Sequence, residues 1–268
     1  MSSQDWINVS HDARGVACVT IVNATKLNTL NRALMEALIT AIEALMDVPN
    51  LRAVVLRGAG TRAFIGGADI TEMAALNAGS ARDFITLVHR SCDVFRRLPV
   101  PVIARIQGYV LGAGLEVAAA CDMRVAATDA VFGMPEVRIG IPSVVEAALL
   151  PQLIGWGRTR TLLLTGDTID AATAERWGLV EQVVAPEALD ASVERRIVSI
   201  LACGPQAVAA QKALIQAWED LPMHAAIQRG IDSFTRCWDS DEPARMMGGF
   251  LDAMRRRKLG GSHGGNEA

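Results

Sequence analysis

Three carboxylates and two glycine-bearing loops are the places where this sequence could do chemistry. Glu116 sits in Gly114-Leu-Glu-Val-Ala-Ala-Ala120, with apolar residues on both sides. A carboxylate in such a run is costly to bury unless it is hydrogen-bonded or functional, although an acid in the first turn of a helix also offsets the helix dipole. Glu136 follows Pro135 in Phe132-Gly-Met-Pro-Glu136, again in apolar company, where an ordinary loop carboxylate is the alternative reading. Two acids of this kind suit general acid–base work with raised pKa values. Glu146, in Ser143-Val-Val-Glu146, is a third acid that either lines the same pocket or opens a helix. The loops are Gly66-Gly67-Ala68-Asp69 and Gly112-Ala113-Gly114. Small residues at a helix start leave backbone N–H groups free, and two of these aimed at one point make an oxyanion hole. The same loops also fit tight turns in which glycine only permits the backbone shape.

Other chemistries find less support. The five cysteines (Cys18, Cys92, Cys121, Cys203 and Cys237) include no CxxC pair, and none of the four histidines forms a two-ligand spacing, so neither a disulfide framework nor a metal site is expected. Neither loop fits GxGxxG or GxxxxGK[ST], and no GxSxG elbow occurs. Asp69 and Asp122 read as turn or structural residues, and His89 as an exposed or structural residue on a mixed helix.

These residues need elements to hold them. Val16 to Val22, Leu51 to Leu56 and Val102 to Ile106 read as strands, with shorter ones at Met123–Ala126 and Ala130–Phe132. Leu34, Leu38, Ile42 and Leu45 draw one apolar stripe on a helix that opens after Asn28-Thr-Leu-Asn31 and ends at Pro49-Asn50. Further helices are expected at about Ala81 to Arg97, Leu115 to Cys121, Ala147 to Leu164 (interrupted by Gly155 and Gly157), Ala171 to Leu179, and from Asp190 to Lys258. Strand and helix thus alternate to about residue 185 and helices follow, which implies an α/β core of repeated strand–strand–helix units and a helical C-terminal part. Helices at the end of a chain cannot bury all their apolar faces alone, so packing on a neighbouring subunit is expected. The Gly-rich residues 259–268 are expected to be a disordered tail.

Composition narrows the class further. The chain has 268 residues, 51% of them hydrophobic and 21% charged, which is a globular composition. Its 26 basic and 29 acidic side chains leave a net charge of −3, without the basic surplus of a nucleic-acid-binding protein. The helix over Asn31–Val48 carries one Arg against Glu36, Glu43 and Asp47, which weakens an RNA-binding reading in particular. The N-terminus lacks signal-peptide regions, and no apolar run reaches about 18 residues, so no membrane span is expected and the cytoplasm is the expected compartment.

The chain resembles the crotonase (enoyl-CoA hydratase/isomerase) superfamily. The motifs that carry the resemblance are Arg62-Ala-Phe-Ile-Gly-Gly-Ala-Asp-Ile70, Pro101-Val-Ile-Ala-Arg-Ile-Gln-Gly-Tyr-Val-Leu-Gly-Ala-Gly-Leu-Glu116, Ala120-Cys-Asp122 and Phe132-Gly-Met-Pro-Glu136, with later landmarks at Leu163–Gly166 and Ala174–Val180. It covers about residues 16 to 258. It implies a crotonase-like spiral of ββα units over residues 1–195 and a helical trimerisation region over 196–258, assembled as a homotrimer or homohexamer. Ala68 and Ala113 match the two backbone N–H positions that hold a thioester oxygen, Ala113 standing where Gly is frequent. Glu116 and Glu136 match the two hydratase carboxylates, the first activating water for attack on Cβ and the second protonating Cα. Lys26, Leu27, Gly66, Asp69, Ile70 and Gly112 fall where the family holds the substrate and its coenzyme A. Phe250 and Arg255–Lys258 resemble the C-terminal helix that reaches a neighbour's coenzyme A.

The resemblance implies reversible hydration of a trans-2-enoyl-CoA to a 3-hydroxyacyl-CoA. Coenzyme A is then part of the substrate, and no separate cofactor or metal is needed. Sister reactions on the scaffold (isomerase, specialised dehydratase, thioester hydrolase) and a non-catalytic acyl-CoA-binding or RNA-binding member are the alternatives. Hydration needs one group to take a proton and one to give it, whereas double-bond migration manages with a single carboxylate. Keeping both acids therefore favours the hydratase. The pattern departs at Ser143-Val-Val-Glu-Ala147, where hydratases usually carry a Gly-rich turn; bulkier residues and an extra Glu near the acyl pocket bear on substrate preference more than on family.

Overall fold

The computed structural model describes residues 6–260. The chain divides into two compact units after Ile200.

The first unit is built on two sheets. The larger holds β1 (Ile7–His11), β2 (Val16–Ile21), β3 (Ala53–Gly58), β5 (Val102–Ile106), β7 (Met123–Ala127) and β10 (Gln182–Val184), in the order β1-β2-β3-β5-β7-β10. The smaller holds β4 (Ala63–Ile65), β6 (Tyr109–Leu111), β8 (Val131–Gly133) and β9 (Thr168–Asp170), in that order. Only β1–β2 and β8–β9 pair antiparallel. Three times the chain runs through one strand of the large sheet, then one of the small sheet, then helical structure: β3–β4, β5–β6 and β7–β8. This is the ββα spiral, and it brings the ends of β4, β6 and β8 side by side.

Burial follows residue type. All five residues of β5 (Val-Ile-Ala-Arg-Ile) are buried, as expected of a central parallel strand covered on both faces. α1 (Arg32–Leu45) buries Leu34, Leu38, Ile42 and Leu45, the stripe read from the sequence, and its N-cap Asn31 accepts a hydrogen bond from the Leu34 N–H at 2.8 Å. α2 (Ile70–Ala74) and α3 (Ala78–Arg97) follow β4, and α4 (Ala113–Ala120) follows β6. After β8 the expected interrupted helix takes the form of a 3-10 turn (Val145–Leu149), α5 (Leu150–Ile154) and α6 (Trp156–Thr165), which runs through Gly157. The break between the last two lies at Gly155, whose φ of 80° an α-helix cannot contain. α7 (Ala171–Trp177) and α8 (Leu189–Leu201) complete this part of the chain.

The second unit contains α9 (Pro205–Asp220), α10 (Met223–Cys237) and α11 (Glu242–Gly260). Glu242 accepts from the backbone N–H groups of Gln206 and Ala207 and so caps α9. Ile227, Ile231 and Phe234 on α10 and Trp238 at its C-cap recur at helical spacing and are all more than half exposed. Among the described residues no single helix is long and apolar enough to cross a membrane. Of the expected tail, residues 261–268 lie outside the described residues, while Leu259 and Gly260 end α11.

Candidate active site

The site is a consequence of strand register. β4 and β6 pair in parallel with Ile65 opposite Val110. Ala68 and Ala113 each lie three residues beyond that matched pair, so the two loops leave the sheet edge together. Gly114 has the Ile65 carbonyl so close that a Cβ would overlap it, which seats the start of α4 against the end of β4. Gly67, at φ 110°, would place a Cβ 3.2 Å from the Leu111 carbonyl oxygen, so the loops also touch on their other side. These are close approaches that only glycine allows.

Among the described residues, neither the Ala68 N–H nor the Ala113 N–H donates to a protein acceptor. Ala113 is the first residue of α4, where a helix leaves N–H groups unsatisfied. The chain around Ala68 is pinned from both sides: the Leu30 N–H donates to the Gly67 carbonyl, and the Asp69 N–H to the Leu30 carbonyl, at 2.8 and 2.9 Å. Both alanines line a cavity of about 760 Å³ whose walls are mostly apolar. Met73, Phe84, Ile85 and Val88 from α2 and α3 form one wall, and Ile139, Ile141 and Val144 form part of another.

Glu116 and Glu136 line the same cavity. Glu116, on the first turn of α4, is 4% exposed, and its whole helix is buried. Burial raises its pKa to about 8, with the negative charges of Glu136 and Glu146 adding to the rise; the backbone N–H groups of Ala147 and Val144 work the other way. Near neutral pH this carboxyl holds a proton. Glu136 opens a four-residue 3-10 turn, Glu136–Ile139, that starts three residues after β8. Its Oε2 accepts a hydrogen bond from the Ser143 hydroxyl at 2.7 Å. Its Oε1 lies where a Cβ on Gly112 would be, so the carboxylate rests against the N-cap of α4. A pair of N–H donors, an acid that carries a proton and a second carboxylate therefore share one apolar cavity. That set can hold a developing oxyanion while one proton is taken up and another is delivered.

The remaining expected positions distribute as follows. Gly66, Ile70 and Gly112 line the cavity. Asp69 caps α2, accepting from the Thr71 and Glu72 N–H groups, and its other oxygen lies 3.8 Å from the Lys26 ammonium. Lys26 ends a 3-10 turn beside the β4 loop, and the Leu27 carbonyl accepts the Gly66 N–H at 2.8 Å; neither residue lines the cavity. Phe250 lies on α11 in the second unit, 67% exposed. Arg255 and Arg256 are on the same helix, and the side chains of Arg257 and Lys258 lie outside the described residues.

Of the two readings of Glu146, the structure gives the helix start rather than a place in the cavity lining. It is buried in the first turn of the 3-10 segment and does not line the cavity. Its Oε1 instead lies 2.7 Å from His89 Nδ1 on α3. Neither the His89–Glu146 contact nor the Ser143–Glu136 contact is visible in the sequence. Contacts between residues 57 and 7 positions apart in the chain carry no local signal.

Comparison with known proteins gives one family. The chain matches enoyl-CoA hydratase/isomerase over residues 11–256. It is 36% identical to the crotonyl-CoA hydratase of Syntrophomonas wolfei over 87% of this chain and 91% of that protein. It is 34% identical to the short-chain-enoyl-CoA hydratase of Clostridium acetobutylicum over 92% of this chain and 94% of that one. Its fold superposes on the crystal structure of an enoyl-CoA hydratase from Bacillus anthracis with a TM-score of 0.89 at 31% identity, covering 92% of this chain and 96% of that chain.

Proposed function

The chain belongs to the enoyl-CoA hydratase/isomerase family, and we propose that it adds water reversibly across the double bond of a trans-2-enoyl-CoA to give a 3-hydroxyacyl-CoA. The observation that carries this reading is the retention of two carboxylates, Glu116 and Glu136, in the cavity that also holds two unpaired N–H donors.

The thioester carbonyl oxygen accepts from the Ala68 and Ala113 N–H groups. Attack of water on Cβ pushes the π electrons toward that oxygen, and the enolate it becomes binds the two donors more tightly than the starting carbonyl does. One such donor is worth roughly 3–4 kcal/mol in other enzymes. Glu116 takes the proton that water gives up, and Glu136 delivers a proton to Cα. The reaction thus leaves the pair one proton in total, moved from one carboxyl to the other. With the proton on Glu116, as in the free site near neutrality, the pair is loaded for dehydration. A water held between the two carboxyls passes it to Glu136 and loads the pair for hydration. Above about pH 8 the pair loses its single proton, so the rate falls as pH rises through that value.

Coenzyme A enters as part of the substrate, with Gly66, Ile70 and Gly112 beside the thioester and Lys26, Leu27 and Asp69 at the rim. No separate cofactor or metal takes part. The exposed apolar stripe on α10 supports assembly of identical chains as a homotrimer or homohexamer, in which Phe250 would face a neighbour's coenzyme A. The protein acts in the cytoplasm, in the breakdown of fatty acyl chains.

The test is loss of the enoyl-thioester absorbance when the purified protein meets crotonyl-CoA, repeated with longer enoyl chains. Rapid loss with 3-hydroxyacyl-CoA as product is expected. An unchanged spectrum with every chain length, under conditions where the thioesters bind, overturns the assignment.

A further inference from the structure

Glu146 is a buried acid that the hydration steps do not use. It is 7% exposed, and its Oε2 has no nitrogen or oxygen donor among the described residues. Two features of its surroundings give it a task. The first is the turn it belongs to. Val145 has a φ of 41°, a left-handed conformation that a β-branched residue adopts only when its surroundings impose it. The turn closes through the Ala147 N–H, which donates to the Val144 carbonyl at 2.9 Å, and the backbone N–H groups of Val144 and Ala147 act on the Glu116 carboxyl, favouring its charged form. The second is the contact across to α3, where His89 Nδ1 meets Glu146 Oε1 at 2.7 Å and the fully buried Cys92 thiol also faces the carboxyl. His89 itself is half exposed, so the latch reaches from solvent to the back of the site.

We propose that Glu146, latched by His89, is a positioning residue that acts through Glu116: it holds the strained Val144–Ala147 turn against that carboxyl and places a second negative charge behind it. Glu116 is then faced by Glu136 from the cavity side and by Glu146 from the 3-10 turn. Glu146 in turn is faced by His89, Cys92 and Asp93, all on α3. Burial raises the pKa of Glu146 and the His89 contact opposes that rise. Once ionised, Glu146 helps Glu116 keep its proton, the N–H groups of the turn limit that effect, and the latch fixes the balance between them. This inference rests on the proposed roles of Glu116 and Glu136, but it makes a statement about proton affinity that needs no turnover.

The experiment is a ¹³C NMR titration of the Glu116 carboxyl in protein labelled on glutamate, its signal identified by its loss in Glu116→Gln. Glu146→Gln, which keeps the shape and removes the charge, should move the Glu116 midpoint down by about one pH unit. The alkaline limb of kcat should follow it, while KM stays unchanged because neither Glu146 nor His89 lines the cavity. His89→Ala should lower kcat roughly threefold to tenfold, the scale of one lost hydrogen bond, and His89→Gln, which can still donate to Oε1, should restore it. His89 is half exposed, so these variants should fold even if Glu146→Gln does not.

A Glu116 midpoint that stays at its wild-type value in Glu146→Gln overturns the electrostatic role. Wild-type kcat in His89→Ala overturns the latch. If the wild type hydrates no enoyl-CoA but the midpoint still moves, the assigned reaction fails and the coupling of Glu146 to Glu116 stands.

Discussion

Glu116 and Glu136 reach into one cavity from walls built in opposite ways. The Glu116 wall is α4, eight residues long and buried at every position. The Glu136 wall is a 3-10 turn with no buried residue, continued by a segment in which Ile139, Ile141 and Val144 are each more than a third exposed. On the first wall, burial decides protonation, because the surrounding apolar groups disfavour charge and the neighbouring acids reinforce them. On the second, two local contacts decide position: the Ser143 hydroxyl on one oxygen and the bare Cα of Gly112 against the other. A proton-holding acid thus comes with rigid surroundings, and its partner with surroundings that can adjust to an acyl chain.

Removing the ionisable group from either wall is the sharpest way to break the comparison. Glu116→Gln and Glu136→Gln should each lower kcat for hydration by about 10²–10⁴-fold, the usual contribution of a positioned acid or base. Binding of a saturated acyl-CoA, followed by calorimetry, should change little. Near-full activity in either variant would mean that one wall is scaffolding.

Stability separates the walls next. Glu116 keeps its proton in the fold up to about pH 8, whereas an ordinary Glu releases it near 4.5. The unfolded chain therefore gains on the folded one as pH rises from 4.5 to 8. Glu116→Gln removes this penalty and should unfold later than wild type at pH 8, by on the order of 2–4 kcal/mol, with the gap closing toward pH 4.5. Denaturant melts at the two pH values measure it, and a gap that does not change with pH would show that burial does not hold the proton.

The smallest effect should come from Ser143→Ala. Loss of one hydrogen bond to Glu136 should cost about 1 kcal/mol in the barrier, or roughly fivefold in kcat, and leave the alkaline limb assigned to Glu116 in place. A moved limb would mean that the walls are coupled more closely than their architecture implies.

What could be read in the sequence followed the same division. Strands β2, β3 and β5 were legible because they are runs of β-branched and aliphatic residues, and α1 because its stripe and its Asn31 cap are local. The strands that position the site were not. β4 and β6 are three residues each, too short to show alternation, and each runs directly into one of the two glycine loops. β1, β9 and β10 were missed, as was α2, which has five residues. α3 begins at Ala78 rather than about Ala81, its start marked by the Asn77–Ser80 capping box. The C-terminal helical stretch is four helices, α8 to α11, with breaks at 202–204, 221–222 and 238–241. At the site itself, both acids and both loops stood out by residue type. The Ser143–Glu136 and His89–Glu146 contacts did not, because chain separation hides them until the fold is known.

The Ala68 and Ala113 donors stand 45 residues apart in the chain, and they are held together by long-range contacts: the pairing of two three-residue strands, the glycines that let the loops approach, and the backbone bonds of Leu30 and Gly133 to the two loops. An α-helix can nucleate from neighbouring residues, but this arrangement cannot. A chain caught part-way to its native state, with helices formed and the short strands unpaired, has neither the paired donors nor the paired acids. Newly made or partly unfolded copies are therefore inert toward the thioesters they meet, and reactivity arrives only with the last long-range contacts.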